Sequence, residues 1–445
     1  MKGMIPNRMK KAVSLILAAA LSMLSIAACK TETAESLPDE RKNQEIESVA
    51  KQEETPEIYP AGTEEGMVMA RFDEKLMAFL SKKAEGNYMV SPLSFRYALG
   101  LLLAGASGET KTELLNALGV KSEEEWAAAC LRFNAFVKRF QEAYGIESAR
   151  HAEYVEKGDL PQDSNAPTMA LRVANSVWKN EKLGVPFTEE YSESISKNYD
   201  AEYFSFVPST AVEKINEWVN EKTERMIDRL LPDGYDTTML AVVLMNALYF
   251  KDSWISPFEE FATKSDEFRT KSGETVEKEF MHDVDNFQYY EDEETRLAVL
   301  PMKGGVSMAF VIGDASDIAS KINEAEYRKV SVAIPKIDLE TSFNGGEFVE
   351  FLKENGVRKA FDPENAEFKR MIDADVYVDD IIQKTRIKLN EDGVEAAAVT
   401  AIMMCGSSFD PNQPVEFTLD QPFSFFIYTN TGNEMATMFF GEIVE

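Results

Sequence analysis

The residues that could act as nucleophiles or bases are few and scattered. The 445 residues include two histidines, His151 and His282, and three cysteines, Cys29, Cys130 and Cys405. Near the C-terminus Cys405, Ser407 and Ser408 stand close together, but a serine or thiol attacks only when a base takes its proton. Neither histidine sits in a catalytic motif, and no Gly-x-Ser-x-Gly turn occurs. Nor is there a Cys/His zinc spacing or a disulfide framework. The pattern argues against an enzyme and implies no metal and no cofactor.

The same stretch is more informative as backbone. Strand side chains alternate between faces, so Val394, Ala396, Ala398, Thr400, Ile402 and Met404 share one face, none of them charged. Glu395, Ala397, Val399, Ala401 and Met403 share the other, where the single charge can face water. No proline interrupts Gly393 to Gly406, whereas Pro411 and Pro414 follow just beyond. Proline is poorly tolerated in a central strand, and a glycine at position 393 suits a point where the backbone angles must change. This segment has what a loop needs if it is to become a buried strand.

Other elements must position that segment. Phe72, Leu76, Phe79 and Leu80 recur at helical spacing. Ser91 and Pro92 form a cap and first-turn pair for a helix whose Leu99, Leu102 and Leu103 face inward. The run Ala241 to Phe250 reads as a strand buried on both faces. Shorter strand-like runs follow at Leu297–Leu300, Met308–Ile312, Val330–Ile334, Phe417–Leu419 and Ser424–Tyr428. The first half reads mainly as helix and the second mainly as strand, a mixed α+β class in one large domain at 64–445. Hydrophobic residues at 44% and charged residues at 28% exclude wholesale disorder.

The N-terminal part reads as a targeting device. Lys2, Arg8, Lys10 and Lys11 precede an uncharged run from Ala12 to Ala28, shorter than the ~20 residues that span a bilayer comfortably. It ends in Ile26-Ala27-Ala28-Cys29, which resembles a bacterial lipoprotein box, with Cys29 as the lipidated residue. Residues 1–28 are then a signal peptide, and residues 29–63, charged and poor in large apolar side chains, a flexible acidic tether. Loss of the four basic residues would take the net charge from −30 to −34. Such acidity leaves no basic footprint for nucleic acid. The expected setting is the cell envelope, exported and lipid-anchored at the outer membrane, facing the periplasm or the surface, with the membrane contacted only through the lipid.

A family resemblance rests on separated motifs. The stretch Asn87–Leu93 followed by Gly105-Ala106-Ser107-Gly108-Glu109-Thr110, then Ala174–Trp178 and Ile215–Val219, resembles the serpins. Asn246–Lys251 with Trp254 and Phe258 resembles that family's central strand and breach tryptophan. Asn390–Ala401 resembles its hinge, with Glu391, Gly393, Val394, Glu395, Ala396, Ala397, Ala398 and Thr400 in the corresponding places. Gln421-Pro422-Phe423 and Phe440-Gly441 match its closing motifs, and the likeness runs through residues 64–445. Val394 departs from the usual Thr or Ser, Leu300-Pro301-Met302 lacks the usual neighbours, and His151 to Pro167 reads as a longer loop.

The resemblance implies a serpin fold, helices packed on three β-sheets with an exposed reactive-centre loop. It also implies a suicide-type inhibitor, whose cleaved loop enters the central sheet and distorts the attached protease. The distorted acyl-enzyme then cannot be hydrolysed. Counting from the hinge places the scissile bond between Ser407 and Ser408, with Met404 and Cys405 as slipped alternatives. A small uncharged residue before the bond suits elastase-like serine proteases, and a papain-like cysteine protease is a further candidate partner. The alternative is a non-inhibitory serpin-fold binding protein of the cell envelope. In either case the chain is expected to be monomeric.

Overall fold

The computed structural model describes residues 64–158, 160, 169–343, 346–379, 381–394, 413–431 and 434–445. In chain order its longer elements begin with α1 (Glu64–Lys83), β1 (Tyr88–Val90), α2 (Pro92–Gly105), α3 (Gly108–Leu118) and α4 (Glu123–Glu156). Next come β2 (Ala170–Asn180), α5 (Glu189–Tyr199), β3 (Ala201–Phe206), α6 (Pro208–Lys222) and β4 (Val242–Ser253). The second half runs β5 (Lys264–Arg269), β6 (Thr275–Glu291), β7 (Thr295–Pro301), β8 (Ser307–Gly313), α7 (Ile318–Glu324) and β9 (Glu326–Pro335). It closes with β10 (Ile337–Phe343), α8 (Glu347–Glu354), β11 (Gln383–Asn390), β12 (Gly393–Val394), β13 (Val415–Thr418), β14 (Phe423–Thr431) and β15 (Glu434–Ile443).

The strands form a six-stranded sheet in the order β10-β11-β12-β4-β2-β3 and a nine-stranded sheet along β1-β15-β14-β8-β7-β6-β9-β13, with β5 also on β6. The nine-stranded sheet is continuous because β6 is 17 residues long. One end of β6 pairs with β5 and the other with β7, while β9 runs alongside. Two of the three expected sheets thereby share one hydrogen-bonded ladder. Helix α2 lies fully buried, and its all-apolar lower turns join the main core with Phe310, Phe425 and Phe426 from the nine-stranded sheet. A separate core of Trp178, Phe206, Ile215, Trp218, Leu231 and Met245 forms where α6 packs over β2, β3 and β4.

Three sequence expectations meet their local test here. Ser91 caps α2, its hydroxyl accepting from the Ser94 N–H at 3.1 Å. The strand expected at Ala241–Phe250 exists as β4, but only its second half is well buried, and Val242, Val243 and Leu244 stay half-exposed. Among the described residues that half of β4 has no strand neighbour on one side, as set out below. The loop expected from His151 is corrected in part, since His151–Glu156 forms the last turns of α4. Phe133, Phe136 and Phe140 anchor that helix, and beyond Phe140 no residue of α4 is buried, so apolar periodicity stops announcing a helix that continues.

One polar junction ties the first helices to the central sheet. The Ser91 N–H donates to Gln383 Oε1 at 2.8 Å, and Gln383 Nε2 donates to the Ser91 carbonyl at 3.0 Å. The Ser91 hydroxyl also donates to the Met438 carbonyl at 2.7 Å. All these groups are buried, so removing one partner strands the other. Gln383→Ala is expected to destabilise the fold by about 1–3 kcal/mol, read as a lower urea midpoint with an unchanged m-value.

Candidate functional site: the breach and its open slot

The site is built where the turn after β11 brings the chain back into the six-stranded sheet. Gly393 and Val394 form a two-residue strand, with Val394 opposite Leu389 of β11 on one side and opposite Asp252 of β4 on the other. Both pairings are antiparallel. Val394 is 3% exposed, so the apolar side chain that departs from the usual Thr or Ser is accommodated. Gly393 has φ 143°, a conformation that L side chains rarely adopt. A Cβ there would also collide with the Asp252 carbonyl and the Ser253 Cα. Glycine at this hinge is therefore required twice over, by the backbone angle and by the approach of β4.

Trp254 closes the end of the sheet above this strand. It is 1% exposed. Its indole N–H donates to the Asn390 carbonyl at 3.1 Å, and its backbone N–H donates to the Asp392 carbonyl at 2.9 Å. Its ring meets Phe258 edge-on at 6.0 Å, and the Phe258 N–H donates to the Glu391 carbonyl at 2.9 Å. The three residues Asn390–Asp392 are thus held from one side by the segment that follows β4.

Glu391 supplies the other restraint. Its carboxylate accepts from Lys336 Nζ at 2.8 Å and from the Thr263 hydroxyl at 2.7 Å. Burial pushes its pKa upward, but the Lys336 and Thr263 hydrogen bonds outweigh burial and hold the carboxyl below its ordinary value. Lys336 and Thr263 were not foreseen from sequence. They lie 55 and 128 positions from Glu391, and no local pattern marks either one.

Asp252 is a third residue that sequence reading missed. Its carboxylate is 0% exposed. It accepts from the Gly304 N–H at 2.9 Å and from the Ser253 N–H at 2.8 Å, pinning the turn between β7 and β8 to the top of β4.

Below Val394 the two flanking strands part. Strand β4 pairs with β2 and, only at its last two residues, with β12, while β11 pairs with β10 and with β12. Among the described residues no strand lies between the lower parts of β4 and β11. At the lower end an apolar cavity is lined by Leu231, Tyr235, Leu240, Val242, Leu244 and Ile382, among others. Midway, Asn246 Oδ1 is buried with no hydrogen-bond partner among the described residues. Among the described residues that central strand position is unfilled, and the apolar first half of β4 beside it is half-exposed.

The structure brings together Trp254, Glu391, Gly393 and Val394. Glu395, Ala396, Ala397, Ala398, Thr400, Met404, Cys405, Ser407 and Ser408 lie outside the described residues, as does Cys29. Cys130, read as a core residue, is buried at 2% exposure. His282 donates its Nδ1–H to the Phe280 carbonyl, 3.0 Å away in its own strand. Among the described residues no group of three or more His, Cys, Asp or Glu side chains is placed to hold a metal ion.

Comparison with known proteins decides the family. The model described as "Serpin (serine protease inhibitor)" matches residues 68–445. The chain belongs to the serpin family. Relatives include the leukocyte elastase inhibitor of Homo sapiens, 28% identical over 386 residues, covering 81% of this chain and 93% of the relative. Serpin-Z2B of Oryza sativa subsp. japonica is 28% identical over 403 residues, covering 81% and 91%. Among solved structures, Serpin48 of the insect Tenebrio molitor is similar with a TM-score of 0.66 and 26% identity, covering 86% of this serpin and 98% of that one. The thermophilic serpin tengpin in its native state gives a TM-score of 0.69 and 25% identity, covering 87% and 96%. The serpin fold, in one domain of helices and sheets, follows, and with it membership of a family of protease inhibitors rather than enzymes.

The Glu391 restraint yields a pH-dependent test. A carboxyl held below its usual pKa stabilises the fold fully above about pH 4.3 and loses that contribution as pH falls through the lower folded value. Glu391→Gln is expected to lower stability by about 1–3 kcal/mol at pH 7, and the gap from the parent protein should close as pH falls toward 3. A denaturant series at pH 7, 5 and 3 measures it.

Proposed function

We propose that this serpin is a suicide-type inhibitor that traps serine proteases of the elastase-like class by inserting its cleaved loop between β4 and β11. The observation that carries this reading is the hinge. It already occupies the first two positions of a strand whose remaining places no described residue fills. Continuing the same antiparallel register sets Ala396 opposite Phe250 and Ile387, and Ala398 opposite Leu248 and Thr385. Thr400 falls opposite Asn246 and Gln383, where its hydroxyl would meet the orphaned Asn246 Oδ1. Ile402 then falls opposite Leu244, beside the apolar cavity. Small, hydroxyl and bulky apolar side chains thus follow one another as the slot changes from tight to polar to open. Fourteen strand residues at about 3.3 Å each would carry an attached protease roughly 45 Å.

Cleavage between Ser407 and Ser408 is the register this reading favours, because the small side chain of Ser407 suits a shallow pocket and gives an acidic, trypsin-like pocket nothing to bind. That a relative is named leukocyte elastase inhibitor is consistent with this class. The export signal, lipid at Cys29, acidic tether and monomeric body at the cell envelope complete the proposal. A papain-like cysteine protease could be held as the thioester by the same motion. The alternative is a non-inhibitory serpin-fold binding protein; thyroxine-binding globulin in complex with thyroxine shares the fold at a TM-score of 0.67 and 19% identity. That likeness concerns the fold alone, and the uncharged hinge face favours inhibition.

Incubation with pancreatic elastase should give a band at the summed mass on a denaturing gel, and mass spectrometry of the released C-terminal peptide should place the cut at Ser407. Cleavage without a complex, and without a gain in thermal stability, would reject the trap. Ala396→Arg should turn the inhibitor into a substrate, since its register position buries an unpaired charge. Complex yield on the same gel should fall at least tenfold.

A further inference from the structure

Asp252 has no counterpart in the reasoning that identified the hinge. It lies in β4 directly opposite Val394, fully buried. An ionised carboxylate offers about four acceptor sites, yet this one receives two backbone N–H groups, those of Ser253 and Gly304. No cation lies within ion-pair distance of it among the described residues. Gly304 packs so closely that a Cβ on it would collide with Phe140 of α4 and approach the Asp252 carboxylate, so an aromatic ring closes the site from the helix side. The hinge side contributes Gly393, Val394 and Leu389, all uncharged.

We infer that Asp252 is a positioning residue for loop insertion, its buried carboxylate, with no cation in ion-pair contact, weakening the hold of β4 on the hinge strand β12 so that this closed end of the slot loosens more easily as pH rises. The inference rests on the insertion reading above and adds a control to it. Burial pushes the Asp252 pKa up to about 7, against the opposing pull of the Gly304 and Ser253 N–H groups and of Lys303. When β4 moves away from the hinge and water enters, the carboxyl returns toward its ordinary value near 3.9. The closed state therefore binds a proton that the opened state releases, and raising the pH favours opening.

The charged groups around it are accounted for. Lys303, on the turn that Asp252 pins, draws its pKa down. Asp392, in the hinge turn, is pushed up by burial and by Glu260 and Glu391 and drawn down by the same Lys303. Glu391 is held low by Lys336. Asp392 is thus the one other carboxyl of this end whose titration could be mistaken for that of Asp252.

The test uses the full chain and a synthetic peptide with the sequence of residues 394–407, which should anneal into the slot and be read by native gel and by gain in thermal stability. Annealing to the parent protein is expected to be on the order of tenfold faster at pH 8.5 than at pH 5.5. Asp252→Asn should anneal at one slow rate, within about twofold at both pH values. Asp252→Gly, which places no amide NH2 against the two N–H donors, should give the same flat profile and covers the case in which Asp252→Asn does not fold. Asp392→Asn should keep the parent profile. A pH step that persists in the Asp252 variants, or that vanishes in Asp392→Asn, overturns the assignment to Asp252. A parent protein that takes up no peptide at either pH overturns the insertion reading and this inference with it, whereas normal annealing with no pH step overturns this inference alone.

Discussion

Everything in this serpin turns on a strand that is two residues long. Strand β12 pairs on both sides, with β11 and with β4, and then the described chain stops while both neighbours continue. Among the described residues no strand fills the position between them below β12, and the half-exposed Val242, Val243 and Leu244 of β4 favour filling it. Helices pack against the strand that borders this position. Helix α2 is buried beneath β4, and α6 covers the sheet over its own core of Trp178, Ile215 and Trp218.

The top of the slot is closed by bonds of different character. Trp254 and Phe258 bind the hinge turn through backbone carbonyls, which no change in protonation alters. Glu391 with Lys336 and Thr263 is a satisfied, charge-assisted cluster, and it holds the turn whose residues precede the moving segment. Asp252 is the opposite case, a buried carboxylate with donors but no cation. One acid stabilises the closed arrangement and the other loads it, 139 positions apart in sequence, Glu391 in the turn between β11 and β12 and Asp252 in β4 beside β12.

Much of the site was legible in the sequence. Alternation alone separated an uncharged face from one carrying a single charge between Val394 and Met404, and the structure seats Val394 on the buried side. Ser91 announced its helix cap, and the β4 run announced a central strand. Strand β6 was not legible, because Thr275–Glu291 carries charges on both faces and bridges two sheet regions that bury it differently along its length. The last turns of α4 escaped for the opposite reason, having no buried face to impose a period.

The sequence by itself determined the family, the glycine at the hinge, the absence of proline from the segment after it, and the small uncharged side chains that a buried strand demands. These are properties of neighbours along the chain, where periodicity, backbone angles and side-chain volume act directly. Only the tertiary structure decided that the hinge is already seated, that β12 alone among the described residues joins β4 to β11, that Glu391 is paired with Lys336, and that no described cation forms an ion pair with Asp252. Those facts depend on which distant segments meet, and burial and hydrogen bonding across 50 to 130 positions leave no mark on the local pattern.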